Sequence, residues 1–289
     1  MTSARQQLGW HALSAAKGVG VGSRPSLRSE RATPAVRSAI AVLIVLTPFP
    51  VGNAFFRAQA PDNKTKPAII VAFPLGIVAG KTSKVTLRGL RLDTATEIRI
   101  HDPKSTSKLL AKAKSNVPNG QDAVHVGDSQ VEVEMTLPAD YPMSTLSLSV
   151  VTLAGESSPY RMLVDAEPAI AEKEQNNGFK NAQPIHLPQN VDGVIGQPQD
   201  VDVFRIEAKA GQEVVLEVLA ARYGSPLDSI LTLYNADGQI LASNDDHDGS
   251  PDSRIVTTLP KTGTYYLAVI DANDQGGPAY GYRLAARLK

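Results

Sequence analysis

The sequence predicts an all-β protein with two antiparallel β-sandwich domains behind an N-terminal signal segment. From Pro67 onward, short segments alternate apolar with polar residues, which is typical of strands that bury one face. Glycine-containing turns separate these segments, and several short strands at this spacing favour sandwiches. The length of 289 residues suits two domains of ordinary size.

The composition excludes several classes of protein. Hydrophobic residues make up 42% of the chain and charged residues 20%, which is near the average for folded globular proteins and does not fit a polytopic membrane protein. The chain has no cysteine, so disulfides, thiolate metal sites and cysteine nucleophiles are excluded. Residues 166–289 hold 17 acidic and 10 basic residues, an excess that repels nucleic acid. We therefore expect no nucleic-acid partner.

The first 60 residues have the order of a secretory signal. Arg31 and Arg37 precede the apolar run 39–46, which is shorter than the roughly 20 residues that span a bilayer. The tripeptide Ala-Gln-Ala at 58–60 then offers a small-x-small cleavage site. We predict that residues 1–60 form a signal or leader segment, with an uncleaved anchor as the alternative. Cleavage leaves no membrane span, and the protein is expected to be secreted, periplasmic or on the cell surface.

Residues 67–165 form the first predicted domain. Alternating segments lie at 85–88, 97–100, 131–135 and 146–150. The opening residues 68–76, with Gly80 and Gly89 at later turns, resemble the start of an immunoglobulin-like domain of the IPT/TIG type. This resemblance implies a sandwich without catalytic residues.

One stretch in the first domain has a helical rather than a strand period. Lys104, Lys108 and Lys112 are four residues apart, so a helical turn would align them on one face. A solvated insertion and an anion-binding patch both fit this spacing. We assign the stretch no function.

Residues 172–289 form the second predicted domain. Its alternating segments are 201–206, 214–219, 230–234, 239–242, 264–269 and 282–285. Asp237 and Gly238 lie between two of them, and Asp-Gly between strands is a strong hairpin signal.

The second domain resembles the bacterial pre-peptidase C-terminal domain. The resemblance rests on ordered motifs across about 118 residues: Glu-Lys-Glu-Gln-Asn-Asn at 172–177, Asp-Val-Asp-Val-Phe at 200–204, Leu-Tyr-Asn-Ala-Asp-Gly at 233–238, Gly-Thr-Tyr-Tyr at 263–266 and Tyr-Arg-Leu at 282–284. It implies a jelly-roll-like sandwich.

The resemblance also implies a calcium site, because some members of the family chelate calcium with an N-terminal linker and a loop of the sandwich. By motif position, the implied ligands are Glu172, Glu174, Asn176, Asn177, Asp200 and Asp202. Residues 172, 174 and 176 of an extended linker point the same way, and calcium takes six to eight oxygens. Asn177 stands where the family often has an acid, which weakens the expected affinity. A solvated linker with a turn at Asp200 is the alternative.

Other motifs do not support a metal site or catalysis. The acidic segment 244–249 begins like an EF-hand loop, but Ile255 stands where the bidentate glutamate belongs, so a turn is the better interpretation. The Gly-Asp-Ser triplet 127–129 resembles an esterase nucleophile block, yet Asp122 and His125 precede it in the wrong order. We predict no catalytic residues and no enzyme activity.

Two functions remain open on the sequence. The first is a non-catalytic binding or structural module of the cell envelope or exterior, whose partner is an extracellular or envelope protein or a polysaccharide. The second is an accessory protein that assists a secreted peptidase in trans by holding its substrate. Collagen is a minor candidate, because Tyr265 and Tyr266 are adjacent and face opposite sides of a strand.

Overall fold

The computed structural model describes residues 66–289, so the predicted signal segment 1–60 lies outside the described part of the chain. Within residues 66–289 the protein has nineteen β-strands, three 3-10 helices of three residues each and one four-residue α-helix, α1, at Ala123–Val126. The predicted all-β class and the sandwich architecture are confirmed.

The first unit contains strands β1 to β9. Their bounds are β1 Ala68–Phe73, β2 Gly76–Val78, β3 Thr82–Leu90, β4 Ala95–Ile100, β5 Thr106–Lys114, β6 Ser129–Thr136, β7 Thr145–Thr152, β8 Gly155–Glu156 and β9 Tyr160–Asp165. One sheet has the order β1-β3-β6-β5 and the other β2-β9-β7-β4, with β8 paired to β7. The sequence places strands correctly within β3, β4, β6 and β7, because these strands alternate buried and exposed residues.

The second unit contains strands β10 to β19. Their bounds are β10 Ile170–Ala171, β11 Gln183–Pro184, β12 Gln189–Val194, β13 Asp202–Ala208, β14 Glu213–Leu219, β15 Ser229–Asn235, β16 Ile240–Asn244, β17 Arg254–Thr258, β18 Gly263–Asp271 and β19 Gly281–Leu288. The sheets have the orders β10-β12-β19-β14-β17 and β11-β13-β18-β15-β16. As predicted, Asp237 and Gly238 lie in the turn between β15 and β16, where Gly238 has a φ of 79°.

Each unit has its own apolar core. The first core includes Val85, Leu87 and Leu148, which are fully buried. The second includes Phe204 and Leu267, which are paired on the neighbouring strands β13 and β18 of one sheet. Burial of these side chains holds the sheets of each sandwich together, since burying a large aliphatic or aromatic side chain stabilises the folded state by about 1.5–3 kcal/mol.

The lysine-rich stretch is a strand rather than a helical turn, which corrects the helical pattern inferred from the sequence. β5 pairs with β6 along its length, with a bulge between Leu109 and Ala111. Lys108 and Lys112 are exposed on this strand, and Lys112 Nζ donates to the Ala95 carbonyl at 2.9 Å. Helix propensities differ by less than about 1 kcal/mol per residue, so pairing with a neighbouring strand overrides them.

Not every strand pair is antiparallel, which the sequence did not predict. β2 pairs in parallel with β9, β10 with β12, and β11 with β13. Each of these pairs joins a two- or three-residue strand to the edge of a sheet. Such short additions have too few residues to show an alternating pattern.

The two sandwiches contact each other directly. Val71 and Val126 of the first unit belong to the apolar cluster that forms the core of the second. Tyr160 Oη donates to the Tyr223 carbonyl at 2.7 Å and accepts from the Ala72 amide at 3.1 Å. A buried ion pair between Arg283 and Asp165 adds a third contact. Apolar, hydrogen-bonded and ionic contacts therefore join the units.

No helix among residues 66–289 is long and apolar enough to cross a membrane.

Candidate metal centre

The segment 170–178 lies against the second sandwich through backbone hydrogen bonds. Glu172 N donates to the Asp192 carbonyl at 2.9 Å, next to the short parallel pair of β10 with β12. Further along, the Asn176 carbonyl accepts from Val203 N of β13 at 3.0 Å. The linker thus crosses from one sheet to the other, and its side chains meet the first residue of β13, Asp202.

Three carboxylates converge at this crossing. Glu172, Glu174 and Asp202 each offer an oxygen, and these oxygens lie within 4.8 Å of one another. Asp202 is fully buried, Glu172 is partly buried and Glu174 is exposed. Negative charges this close repel one another unless a proton or a cation neutralises them.

Two buried oxygens at this cluster have no hydrogen-bond partner. They are Asp202 Oδ1 and Asn176 Oδ1, and both side chains are fully buried. The amide nitrogen of Asn176 donates to Glu172 Oε1 at 2.8 Å, so the amide group, whose oxygen has no partner, lies beside the carboxylates. A buried polar atom without a hydrogen-bond partner lowers the stability of the folded state by about 1–3 kcal/mol. A cation bound between the two oxygens would give both of them a partner.

The remaining carboxylate oxygens are held by donors from the sheet. Tyr282 Oη donates to Asp202 Oδ2 at 2.7 Å and lies 3.4 Å from Glu172 Oε1. Val194 N donates to Glu172 Oε2 at 2.8 Å. These contacts orient Glu172 and Asp202 towards each other before any ion binds.

Gly193 makes room for this arrangement. It pairs with Tyr282 across β12 and β19, and a Cβ at position 193 would lie 2.5 Å from the Tyr282 ring and 2.8 Å from Glu172 Oε2. Neither Tyr282 nor Gly193 was predicted from the sequence to belong to the site. Tyr282 lies in the Tyr-Arg-Leu motif at 282–284 that carries part of the family resemblance, which was the available signal for it.

The electrostatics of the cluster disfavour its full negative charge. Burial, followed by the Glu172 carboxylate, raises the pKa of Asp202 far above its ordinary value. Burial also raises the pKa of Glu174, with further contributions from Asp200 and Glu172. The pKa of the Tyr282 hydroxyl is well above its usual range, because burial and the neighbouring carboxylates oppose its ionisation.

Of the six residues implied as ligands, four meet at the cluster and two form a neighbouring pair. Asn177 Nδ2 donates to Asp200 Oδ1 at 2.8 Å, and Asp200 Oδ2 accepts from Gly196 N at 2.8 Å. Val201 N also donates to Asp200 Oδ1, at 3.1 Å. Asp200 therefore holds the loop before β13, while Glu172, Glu174, Asn176 and Asp202 form the cluster itself.

The second acidic segment is a turn that bonds to its own backbone. Asn244 Nδ2 donates to the Asp246 carbonyl at 2.9 Å, and Asp245 Oδ1 accepts from Asp246 N at 2.9 Å. These contacts use the side chains to fix the chain after β16, as the turn interpretation expects.

Ser129 is a structural residue. It is 1% exposed, its hydroxyl accepts from Leu92 N at 2.7 Å, and it contacts Asp128 Oδ1 at 2.7 Å. A second serine, Ser149, contacts both His101 at 2.8 Å and Glu156 at 2.5 Å. Ser149 is fully buried and the carboxylate bonds the serine instead of the histidine, so this arrangement lacks the order of a catalytic triad.

Comparisons with known proteins point to one family. The family model described as the bacterial pre-peptidase C-terminal domain matches residues 200–271. A probable subtilase-type serine protease of Deinococcus radiodurans is 40% identical over 103 residues, which are 35% of this chain and 14% of that protein. The chain thus spans about one seventh of the length of this relative.

Solved structures similar to this chain include two single domains. The pre-peptidase C-terminal domain of a collagenase from Bacillus anthracis aligns with a TM-score of 0.30 and 16% identity, over 43% of this chain and 100% of that one. A periplasmic inhibitor of g-type lysozyme from Aeromonas hydrophila aligns with a TM-score of 0.28 and 17% identity, over 37% of this chain and 99% of that one.

Proposed function

We propose that this chain, whose C-terminal unit contains a bacterial pre-peptidase C-terminal domain, is a non-catalytic binding module of the cell envelope or exterior that calcium stabilises. Domains of this family are non-catalytic and are often attached to secreted proteases. The proposed partner is an extracellular or envelope protein or a polysaccharide. The first sandwich contributes a rigid support, since it contacts the second through a shared apolar cluster.

The pair of unpartnered buried oxygens carries the calcium proposal. Asp202 Oδ1 and Asn176 Oδ1 lie at a cluster that also contains two glutamates. Carboxylate and amide oxygens are the ligands that calcium prefers, whereas zinc favours nitrogen and sulfur. The residues present therefore fit calcium, and Glu172, Glu174, Asn176 and Asp202 would hold it.

The bound ion would supply positive charge where the fold has concentrated negative charge. It would allow Asp202 to remain ionised although burial raises its pKa. It would also tie Glu174, on the exposed side of the linker, to the buried start of β13. We propose a supporting role for Asn177 and Asp200, which fix the loop beside the ion through their mutual hydrogen bond.

Calorimetric titration and thermal unfolding of the full chain test the calcium proposal. Calcium chloride should release or absorb heat and raise the melting temperature, and EGTA should reverse the rise. Magnesium should produce a smaller rise, because it is smaller than calcium and keeps several of its waters. No heat and no thermal shift with calcium would show that the linker is merely solvated.

The location outside the cytoplasm is also a proposal. The basic flank, the apolar run 39–46 and the tripeptide at 58–60 support export. Mass spectrometry of the exported protein should find an N-terminus at or near Pro61. Recovery of only the full-length chain from the cytoplasm would contradict it.

The relationship to a probable subtilase-type protease supports a second candidate function, assistance to a secreted peptidase in trans. In that case the chain should accelerate cleavage of a bound or insoluble substrate by such a peptidase and leave cleavage of a short soluble peptide unchanged. A module that only binds should retain its ligand without any peptidase. It should change neither the rate at which the peptidase cleaves the bound or insoluble substrate nor the rate at which it cleaves the soluble peptide.

A further inference from the structure

A polar pocket lies beside the carboxylate cluster. It is an open depression of the surface with a volume of about 570 Å³. The side chains that matter for its chemistry are Glu174, Gln175, Asn177, Asn181, Gln197 and Asp200. No aromatic or aliphatic side chain contributes to this lining, so a ligand must be recognised through hydrogen bonds.

Carboxamides dominate the pocket, and most of them have free hydrogen-bonding groups. Gln175, Asn181 and Gln197 are exposed, and their side chains bond to no other described residue. Each carboxamide carries two N–H donors and one carbonyl acceptor in a plane. A sugar hydroxyl both donates and accepts, so a row of such amides complements a series of hydroxyls.

Glu174 connects the pocket to the metal cluster. It lines the pocket and is also one of the three carboxylates whose oxygens converge. The cluster supplies side-chain oxygens from Glu172, Glu174, Asn176 and Asp202, whereas calcium takes six to eight oxygens. If each of these four side chains contributes one oxygen, two to four positions remain for ligand or water oxygens on the exposed side, where Glu174 lies.

The negative charge around the pocket favours neutral ligands over acidic ones. Three carboxylates with one divalent cation leave a net negative charge, and Asp200 adds another in the same pocket. These negative charges would repel an acidic sugar or an acidic peptide that entered the pocket. A neutral glycan with adjacent hydroxyl groups meets no such penalty.

We infer that this pocket binds neutral glycans in a calcium-dependent manner, with the carboxamides of Asn181 and Gln197 contacting sugar hydroxyls. The inference rests on the proposed function, since Glu174 belongs both to the pocket and to the proposed calcium cluster. It extends that function by assigning the ligand class and the surface that recognises it.

A glycan array with the full chain tests the inference. The array should hold neutral manno-, gluco- and galacto-oligosaccharides together with oligogalacturonate, and it should be read in calcium and in EGTA. We expect retention on one or more neutral glycans in calcium alone. Asn181→Ala and Gln197→Ala should each weaken that binding about tenfold, since each removes hydrogen bonds to the ligand.

The matched control is Asn116→Ala, which removes an exposed carboxamide of the first sandwich. It should bind glycan like the unchanged chain. All three variants should keep the calcium-induced rise in melting temperature, because none of these side chains belongs to the cluster.

Other outcomes separate this inference from the proposed function. A calcium-induced thermal shift without retention on any neutral glycan would overturn the inference and leave the calcium proposal standing. Retention only on oligogalacturonate, or binding that Asn181→Ala and Gln197→Ala leave unchanged, would also overturn it. Absence of the thermal shift would overturn the calcium proposal and the inference together.

Discussion

Arg283 of the last strand forms a buried ion pair with Asp165, the last residue of the first sandwich. Arg283 Nη1 lies 2.6 Å from Asp165 Oδ1 and 2.7 Å from Oδ2. Its Nε and Nη2 donate to the two oxygens of Asp192 at 2.8 and 2.9 Å. The guanidinium of Arg283 thus joins the two sandwiches. The preceding residue, Tyr282, donates a hydrogen bond to Asp202 of the carboxylate cluster.

The first prediction concerns this ion pair. Arg283→Met should lower the free energy of unfolding by about 3–5 kcal/mol, because it leaves the buried Asp192 carboxylate and the partly buried Asp165 carboxylate without their guanidinium partner. Asp165→Asn should cost less and should accelerate proteolysis of the exposed linker 166–168, since the Arg283–Asp192 pair survives. Urea denaturation and limited proteolysis measure the two effects.

Arg287→Met is the control for this ion pair, because Arg287 lies on the same strand and is exposed. It should change stability little. Equal losses from Arg283→Met and Arg287→Met would show that the buried ion pair has no special role.

The second prediction concerns Glu174, the exposed carboxylate of the cluster. Glu174→Gln should abolish most of the calcium-induced stabilisation, which is about 2.7 kcal/mol when calcium is at roughly a hundred times its dissociation constant. Because Glu174 is exposed, the calcium-free variant should unfold like the unchanged chain. Thermal unfolding with and without calcium measures both quantities, and Asp246→Asn should retain the full calcium response.

The third prediction is that the Asp202 carboxylate destabilises the fold when calcium is absent and contributes to stability when calcium is bound. The folded state raises the pKa of Asp202, mainly through burial, so ionised Asp202 destabilises the calcium-free fold near neutral pH. Asp202→Asn should therefore raise the melting temperature in EGTA and remove the rise that calcium produces. A variant that melts lower in EGTA and still responds to calcium would contradict the role assigned to this carboxylate.

The fourth prediction concerns the space beneath Tyr282. Gly193→Ala places a Cβ 2.5 Å from the Tyr282 ring, so the ring or the strand must move. We expect a loss of about 1–3 kcal/mol in the free energy of unfolding, together with weaker calcium binding. Gly178→Ala is the matched control, because a Cβ there meets nothing within 4 Å. In denaturation and calcium titration, Gly193→Ala should differ from the unchanged chain and Gly178→Ala should not.

The fifth prediction isolates the hydroxyl of Tyr282. Tyr282→Phe removes the donor to Asp202 Oδ2 and leaves a second buried oxygen of that carboxylate without a partner. The cost should be about 1–3 kcal/mol in the calcium-free chain, and calcium should recover part of it. Tyr280→Phe should have little effect, since Tyr280 contacts the cluster through no hydrogen bond. If the two variants behave alike, the Tyr282 hydroxyl does not position the cluster.

Features that depend on local patterns could be predicted from the amino-acid sequence alone. Alternation of apolar and polar residues identified most of the long strands, and Asp237-Gly238 identified the hairpin between β15 and β16. The family resemblance implied Glu172 and Glu174 as ligands, and their alternate positions suit a single ion, because residues two apart on an extended segment share a face. The motifs of the second domain also identified its family.

Features that depend on partners distant in the chain became visible in the folded protein and not in the sequence. Pairing with β6 made β5 a strand, although its residues favour a helix. Tyr282 and Gly193 entered the site because two strands 89 residues apart in the chain lie side by side, as the register of β12 with β19 shows. Arg283 meets Asp165 across 118 residues, and Asp200 bonds Asn177 beside the cluster. Such contacts leave no periodic trace in the sequence, since each depends on where the folded sheets bring a single side chain.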